Sequence, residues 1–259
     1  MRTAPLLCWL LVAASLQLYP TAAIQALPPP PPRKTVAVLS FDNNSGDSQY
    51  DPLGKGLAAM MISDLSSVES IQLVERERLQ DLINEQNLQQ SRYFDSATAV
   101  QVGRVAGAEY VVTGAVMALQ PQVRIDTRVI RVATAEIVKT AQVTGREDRF
   151  FELQQRLARE LIAGLELALS PEELERLRQQ QEANRVEEMR VTLTYSQALD
   201  LFDRGDYVEA AEKMYTVTRA VPNSALMQLT YDQMKQRAAR GAKRRLQDRV
   251  RGAIRGRIP

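Results

Sequence analysis

The sequence predicts an α/β fold: a mixed sheet of about five strands with packed helices, followed by an α-helical C-terminal region. Three observations predict it. Between Thr35 and Gly145, short apolar, β-branched runs alternate with helically spaced ones in the order β-α-β-α-α-β-β-β. The last three strands are separated by connections of only a few residues, which forces antiparallel hairpins. From Ser170 onward the pattern is helical throughout.

The run Thr35-Val36-Ala37-Val38-Leu39-Ser40-Phe41 reads as a buried strand, and Asp42 to Pro52, rich in Asp, Asn, Ser and Gly, as a loop. Leu53 to Ser67 carries Leu57, Met60, Met61 and Leu65 at helical spacing. Ile71 to Val74 is a second strand, and Glu75 to Gln90 a second amphipathic helix. Asp95 or Ser96 caps a third helix that runs to Ala106 and stops at Gly107. Strands follow over Tyr110–Ala118, Gln122–Val132 and Ile137–Gly145, and a long helix over Asp148–Leu169 closes the domain, residues 35–169. Ser170-Pro171-Glu172-Glu173 is a helix start. It opens a connecting helix (170–192), polar nearly all round, with Leu174 and Leu177 its clearest apolar contacts. A helix pair, Thr194–Arg204 and Tyr207–Val221, broken at Gly205, lies in residues 193–234. A last helix runs from Ser224 into a basic tail, 235–259, in which Gly241, Gly252 and Gly256 lower the helical propensity.

The N-terminus reads as a secretory signal over residues 1–23: Arg2, the apolar run Leu6–Leu18, then small residues around Ala23. A linker, 24–34, contains the unbroken prolines Pro28–Pro32, a stiff polyproline spacer. The only cysteine, Cys8, lies inside the signal, and the chain has no histidine. Cys-His nucleophiles, Ser-His-Asp triads and conventional zinc sites are therefore excluded from the mature chain, which also forms no disulfide. An exported protein without disulfides suits a bacterial periplasm. Thr35–Leu169 is mildly acidic, whereas Arg240, Lys243, Arg244 and Arg245 belong to a tail whose only acid is Asp248.

Two resemblances follow. Phe41-Asp42-Asn43-Asn44-Ser45-Gly46-Asp47 and Tyr50-Asp51-Pro52-Leu53-Gly54-Lys55-Gly56-Leu57 resemble the opening of the curli-assembly (CsgG-like) family. The likeness continues through Val74-Glu75-Arg76-Glu77-Arg78-Leu79, Leu88-Gln89-Gln90-Ser91, Gly107-Ala108-Glu109-Tyr110 and Val112-Thr113-Gly114, and fades after Arg124-Ile125-Asp126-Thr127-Arg128. It implies a periplasmic α/β domain of the Gram-negative envelope, whose best-known members are lipid-anchored, ring-forming secretion pores. Two departures matter. Cys8 is placed too early to carry the lipid. The connections Leu119-Gln120-Pro121 and Ala133-Thr134-Ala135-Glu136 leave no room for membrane-crossing hairpins. The second resemblance, to a tetratricopeptide repeat, rests on Arg204-Gly205-Asp206-Tyr207-Val208-Glu209-Ala210 and Pro222-Asn223-Ser224. A single copy must pack on its flanking helices or on a partner.

Candidate sites divide by charge and aromaticity. The loop carboxylates Asp42, Asp47 and Asp51 offer a cation or hydrolytic site, against a turn that bonds its own backbone, which the spacing favours. Gly54 and Gly56 beside Lys55 serve close packing rather than phosphate binding, because no complete phosphate-loop pattern is present. Arg76 and Arg78 are either a solvated face or, by the family resemblance, a subunit contact. Arg124, Asp126 and Arg128 share one strand face, as a charged ladder or a partner surface. Tyr207 and Tyr215 are partner-binding candidates on the helix pair. The basic tail fits an anionic membrane surface or a solvated tail; nucleic acid is not expected in a periplasm. The expectation is a non-catalytic periplasmic assembly or interaction protein, not an enzyme. It has protein partners in the envelope, a homo-oligomer among them, association with the outer membrane as the family's address, and no cofactor or metal. The alternatives are a secretion-channel subunit and a carboxylate-dependent hydrolase.

Overall fold

The computed structural model describes residues 33–86, 93 and 95–255, with the backbone alone at 244–246 and 248–255. The signal, Cys8, the proline run and the Leu88–Ser91 motif lie outside the described residues.

The sheet has six strands, one more than expected from the sequence. They are β1 (Lys34–Val38), β2 (Asp42–Asn43), β3 (Ile71–Leu73), β4 (Tyr110–Leu119), β5 (Gln122–Arg131) and β6 (Glu136–Arg146). The order is β3-β1-β4-β5-β6, with β2 also on β4. β1 pairs in parallel with β3 and β4, while β4, β5 and β6 form an antiparallel meander. The additional strand corrects the reading of Asp42–Pro52 as loop throughout. Val38 faces Val112 and Asp42 faces Ala115, so β1 and β2 run along one edge of β4 with one extra residue between them, a bulge. The bulge forms because the Phe41 N–H leaves the sheet and donates to the Gly54 carbonyl (3.3 Å).

The helices are α1 (Leu53–Leu65), α2 (Arg76–Glu85), α3 (Ser96–Ala106), α4 (Phe150–Gly164), α5 (Pro171–Ala183), α6 (Met189–Arg204), α7 (Tyr207–Ala220) and α8 (Ala225–Arg255). Asp95 caps α3 by accepting from the Thr98 N–H, and Gly107 ends it at a left-handed φ of 70°. The helix expected over Asp148–Leu169 stops at Gly164. Glu166 adopts φ 54°, and its N–H and that of Leu167 close back on the Ala163 and Ile162 carbonyls, terminating the helix without a glycine at the turn. α5 opens on a full capping box between Ser170 and Glu173. Its inward face is Leu177 and Gln181; Leu174 is 45% exposed, contrary to expectation. α6 begins at Met189, five residues earlier than the periodicity suggests.

One face of the sheet, through Val36, Val38, Val112, Ile125, Val129 and Val143, packs on α1 and α4. The other, through Ala37, Leu39, Val111 and Ile130, packs on α2 and α3. A third cluster joins the C-terminal helices to α1: Ala59 and Met60 sit among Val191, Tyr195, Leu199, Met214, Met227 and Met234. α1 is therefore buried on two sides. Leu57, Met61 and Leu65 face the sheet, whereas Met60, which sequence spacing groups with them, faces the C-terminal helices. The described residues belong to one compact unit.

Candidate functional site

The chemistry-bearing side chains concentrate where α1 meets α4, α5, α6 and α8. At the start of α1, Gly54 and Gly56 allow two close approaches. A Cβ on Gly54 would sit 1.7 Å from the Phe41 carbonyl oxygen, and one on Gly56 would sit 2.0 Å from Ser196 Oγ on α6. Between them, Lys55 Nζ donates to Asp200 Oδ1 (2.9 Å) and Asp203 Oδ2 (3.0 Å) on α6. Arg76, at the start of α2, adds a contact from Nη1 to Asp203 Oδ1 (2.8 Å), and Arg204 pairs with Asp200. Asp203 is only 5% exposed and serves two cations. Arg76 is thus held largely inside the chain, its side chain 19% exposed, which corrects the solvated-face reading. Arg78 on the same helix is exposed.

At the other end of α1, Asp64 is fully buried, and its Oδ2 accepts from Gln154 Nε2 (3.1 Å, α4) and Gln181 Nε2 (3.0 Å, α5). Burial is the dominant influence and pushes its pKa up to about 6, against which the two amide hydrogen bonds act only in part. Among the described residues, its Oδ1 and the Gln154 Oε1 have no hydrogen-bond partner. Next to it, Ser63 Oγ accepts from Gln180 and Asn184, and the side-chain Oδ1 of Asn184 accepts from Ser224 Oγ (3.0 Å) and the Leu226 N–H (3.0 Å). That chain of bonds fixes the start of α8 to α1. Sequence reasoning passed over Asp64, Gln154 and Gln181. Each lies four residues after a buried apolar residue of its own helix (Met60, Phe150 and Leu177), and this polar interruption of an apolar stripe was the available signal.

A groove of about 330 Å³ runs along the seam, bordered by Ile62, Arg76, Tyr195, Phe202, Leu226 and Met234. Burial pushes the Tyr195 phenol up to about 12, so it stays protonated. Asp64 does not line this groove.

Two of the loop carboxylates, Asp47 and Asp51, bond within the loop, and Asp42 bonds the segment before α3. Asp42 accepts from the Tyr93 N–H (3.1 Å). Asp47 accepts from Gln49 N (3.0 Å) and Nε2 (2.5 Å), and Asp51 accepts from Asn43 Nδ2 (2.6 Å). Among the described residues, no group of three or more His, Cys, Asp or Glu is placed to hold a metal ion.

On β5, Arg124 and Asp126 form a two-pronged pair through Nε and Nη2 (2.8 Å each at the shortest). Thr144 and Gln142 of β6 lie beside them in register. Arg128 continues that face and borders an open depression with Asp42 and Asp95. Tyr207 packs edge-on against Phe202 at 5.2 Å, whereas Tyr215 is exposed beside Tyr231 at 6.0 Å. Arg240 and Lys243 are exposed on α8; Arg244 and Arg245 follow on the same helix, their side chains outside the described residues. The structure gathers Lys55 and Arg76 into one cluster and leaves the β5 ladder, Tyr215 and the basic residues at separate places.

The fold and seam define a class: a mixed-sheet α/β domain whose first helix carries a helical extension through buried polar contacts. Residues 18–124 match the family model described as Curli production assembly/transport component CsgG, and the chain carries a CsgG-like domain. A curated relative, putative adenylate cyclase 3 of Rhizobium meliloti (strain 1021), is 27% identical over 155 residues, covering 59% of this chain. The matched span is 25% of that protein's length. Among solved structures, the LpoB C-terminal domain from Salmonella enterica covers 44% of this chain and 82% of its own at 18% identity, TM-score 0.38. Lipoprotein GNA1162 from Neisseria meningitidis covers 52% and 99% at 15% identity, TM-score 0.39. At these scores neither structure bears on the reading of the chain.

Proposed function

We propose that this chain is a non-catalytic assembly or interaction protein of the Gram-negative periplasm, related to curli secretion components and lacking their pore. The observation that carries this reading is the CsgG match over residues 18–124, combined with a meander that has no insertion. β4 passes to β5 through Gln120 and Pro121, and β5 to β6 through Val132–Ala135. A membrane hairpin needs two further strands of roughly 9–11 residues each. The engagement of Asp47 and Asp51 in their own loop, of Asp42 with the Tyr93 N–H, and of Lys55 with Asp200 and Asp203, supports a structural role for the residues that a hydrolase would use. The cyclase activity named for the curated relative is not carried over, because only a quarter of that protein is matched.

The test is envelope fractionation of the expressed chain, followed by light scattering and crosslinking of the purified protein. Periplasmic recovery with a crosslinked partner or a defined oligomer supports the reading, and a strictly cytoplasmic monomer overturns it. Channel conductance in planar bilayers would move the assignment to a secretion pore. A turnover abolished by Asp47→Asn with the fold intact would move it to an enzyme.

A further inference from the structure

The helix α8 changes character along its length. Its first half packs inward through Met227, Thr230 and Met234, all buried. Its partner α7 is 14 residues long against 31 for α8, and the last buried side chain described on α8 is Met234. From Ala239 to Arg255 the helix continues for about 25 Å at 1.5 Å per residue.

The sequence of that distal half is not a continuation of the packed seam. With about 100° per residue, Ala239, Ala242, Leu246, Val250, Ala253 and Ile254 fall within one sector of about 120°. That sector lies on the side of the helix roughly opposite to Met227, Thr230 and Met234. Ala239 and Ala242, where it begins, are exposed. Arg240, Arg244, Arg245, Arg249, Arg251 and Arg255 all fall outside it, while Lys243 falls inside it, angularly between Val250 and Ile254, where a long stem reaches past an apolar surface. Asp248 is the only acid from Lys235 to the C-terminus.

An apolar stripe backed by arginines on a helix that outruns its packing partner matches one kind of surface. We infer that the distal half of α8 is a docking helix for an anionic phospholipid surface, lying in the headgroup plane with the sector that holds positions 246, 250 and 254 toward the membrane. Arginines at the flanks engage lipid phosphates. Nucleic acid would satisfy the arginines and leave the apolar stripe without a role. A second copy of the helix would cover the stripe and bring two arginine-rich faces close together. The inference is independent of the assembly reading, since it concerns where the chain is held and not what it assembles.

The experiment is co-sedimentation of the full chain with vesicles of phosphatidylcholine, with and without phosphatidylglycerol. The same measurement is made on the Leu246→Ser/Val250→Ser variant and on a chain ending at Ala238. Binding should be at least about tenfold stronger with phosphatidylglycerol present, and both changed chains should lose most of that gain. Gly241 and Gly252 weaken this helix in water, so circular dichroism should register added helix on anionic vesicles in the unaltered chain alone. Equal binding to both vesicle types overturns the inference, as does anionic binding that the serine variant retains. So does a vesicle-free dimer that the serine variant abolishes, or an oligonucleotide affinity indifferent to Leu246 and Val250.

Discussion

The two ends of α1 carry the same electrostatic fault and resolve it in opposite ways. Helix N-termini favour acids and C-termini favour bases, yet α1 has Lys55 in its first turn and Asp64 near its end. At the N-terminal end the fault is offset by pairing, since Lys55 meets two carboxylates of α6 while still 23% exposed. At the C-terminal end it is met by burial among amides, with Gln154 and Gln181 as donors and no cation among the influences on Asp64. The difference teaches that the first end is held by charge and by glycine-permitted contact, and should respond to sterics and ion-pair removal. The second is held by a carboxyl whose protonation is linked to folding.

The largest expected effect tests the close approach at the N-terminal end. Gly54→Ala places a Cβ against the Phe41 carbonyl, a backbone atom that cannot rotate away, and should destabilise by about 3 kcal/mol or more in urea unfolding. Gly56→Ala meets a side-chain hydroxyl instead and should cost about half as much.

The next effect separates the two ends by pH. Asp64 titrates near 6 when folded, against its usual 3.8, so the folded chain binds the proton more tightly than the unfolded one. That contribution to stability is fully present below pH 3.8 and is lost as pH rises through 6, a change of about 3 kcal/mol. Asp64→Asn removes the titrating group and keeps an amide oxygen to accept from Gln154 and Gln181. The variant should be more stable than the parent at pH 8, by about 2 kcal/mol, and should lose that advantage by pH 4. Chemical denaturation at several pH values reads the crossing, and parallel curves would remove Asp64 from the account.

Asp203→Asn comes third. It removes the shared, nearly buried carboxylate charge, leaving Lys55 with Asp200 alone and Arg76 facing a neutral amide, and should destabilise by about 2 kcal/mol. Adding Lys55→Met to it should cost less than the sum of the two single changes, which a double-mutant cycle measures. The smallest effect is Arg124→Ala on the exposed β5 ladder, where thermal unfolding should register no more than about 0.5 kcal/mol.

Much of the architecture was legible because it is encoded locally. Asp95, Gly107, Ser170 and Gly205 mark helix ends through their own hydrogen bonds or backbone freedom, and each lies where the pattern put it. The site was legible only in fragments. Lys55 drew notice for its glycines, and their role in close packing is what the structure shows. The partners of Lys55 lie more than a hundred residues away on α6, beyond the reach of any local pattern. Leu174 misled because apolar spacing does not say which side of a polar helix turns inward.

By itself the sequence determined the element order, the antiparallel meander, the caps and the absence of histidine chemistry, since these depend on residue type and near neighbours. Only the tertiary structure decided that α1 is buried on two sides, that Asp42–Asn43 rejoin the sheet, and that Asp64 lies among Gln154 and Gln181. Those outcomes depend on which distant helices pack together. An apolar stripe shows that a face will be buried, but not what will cover it.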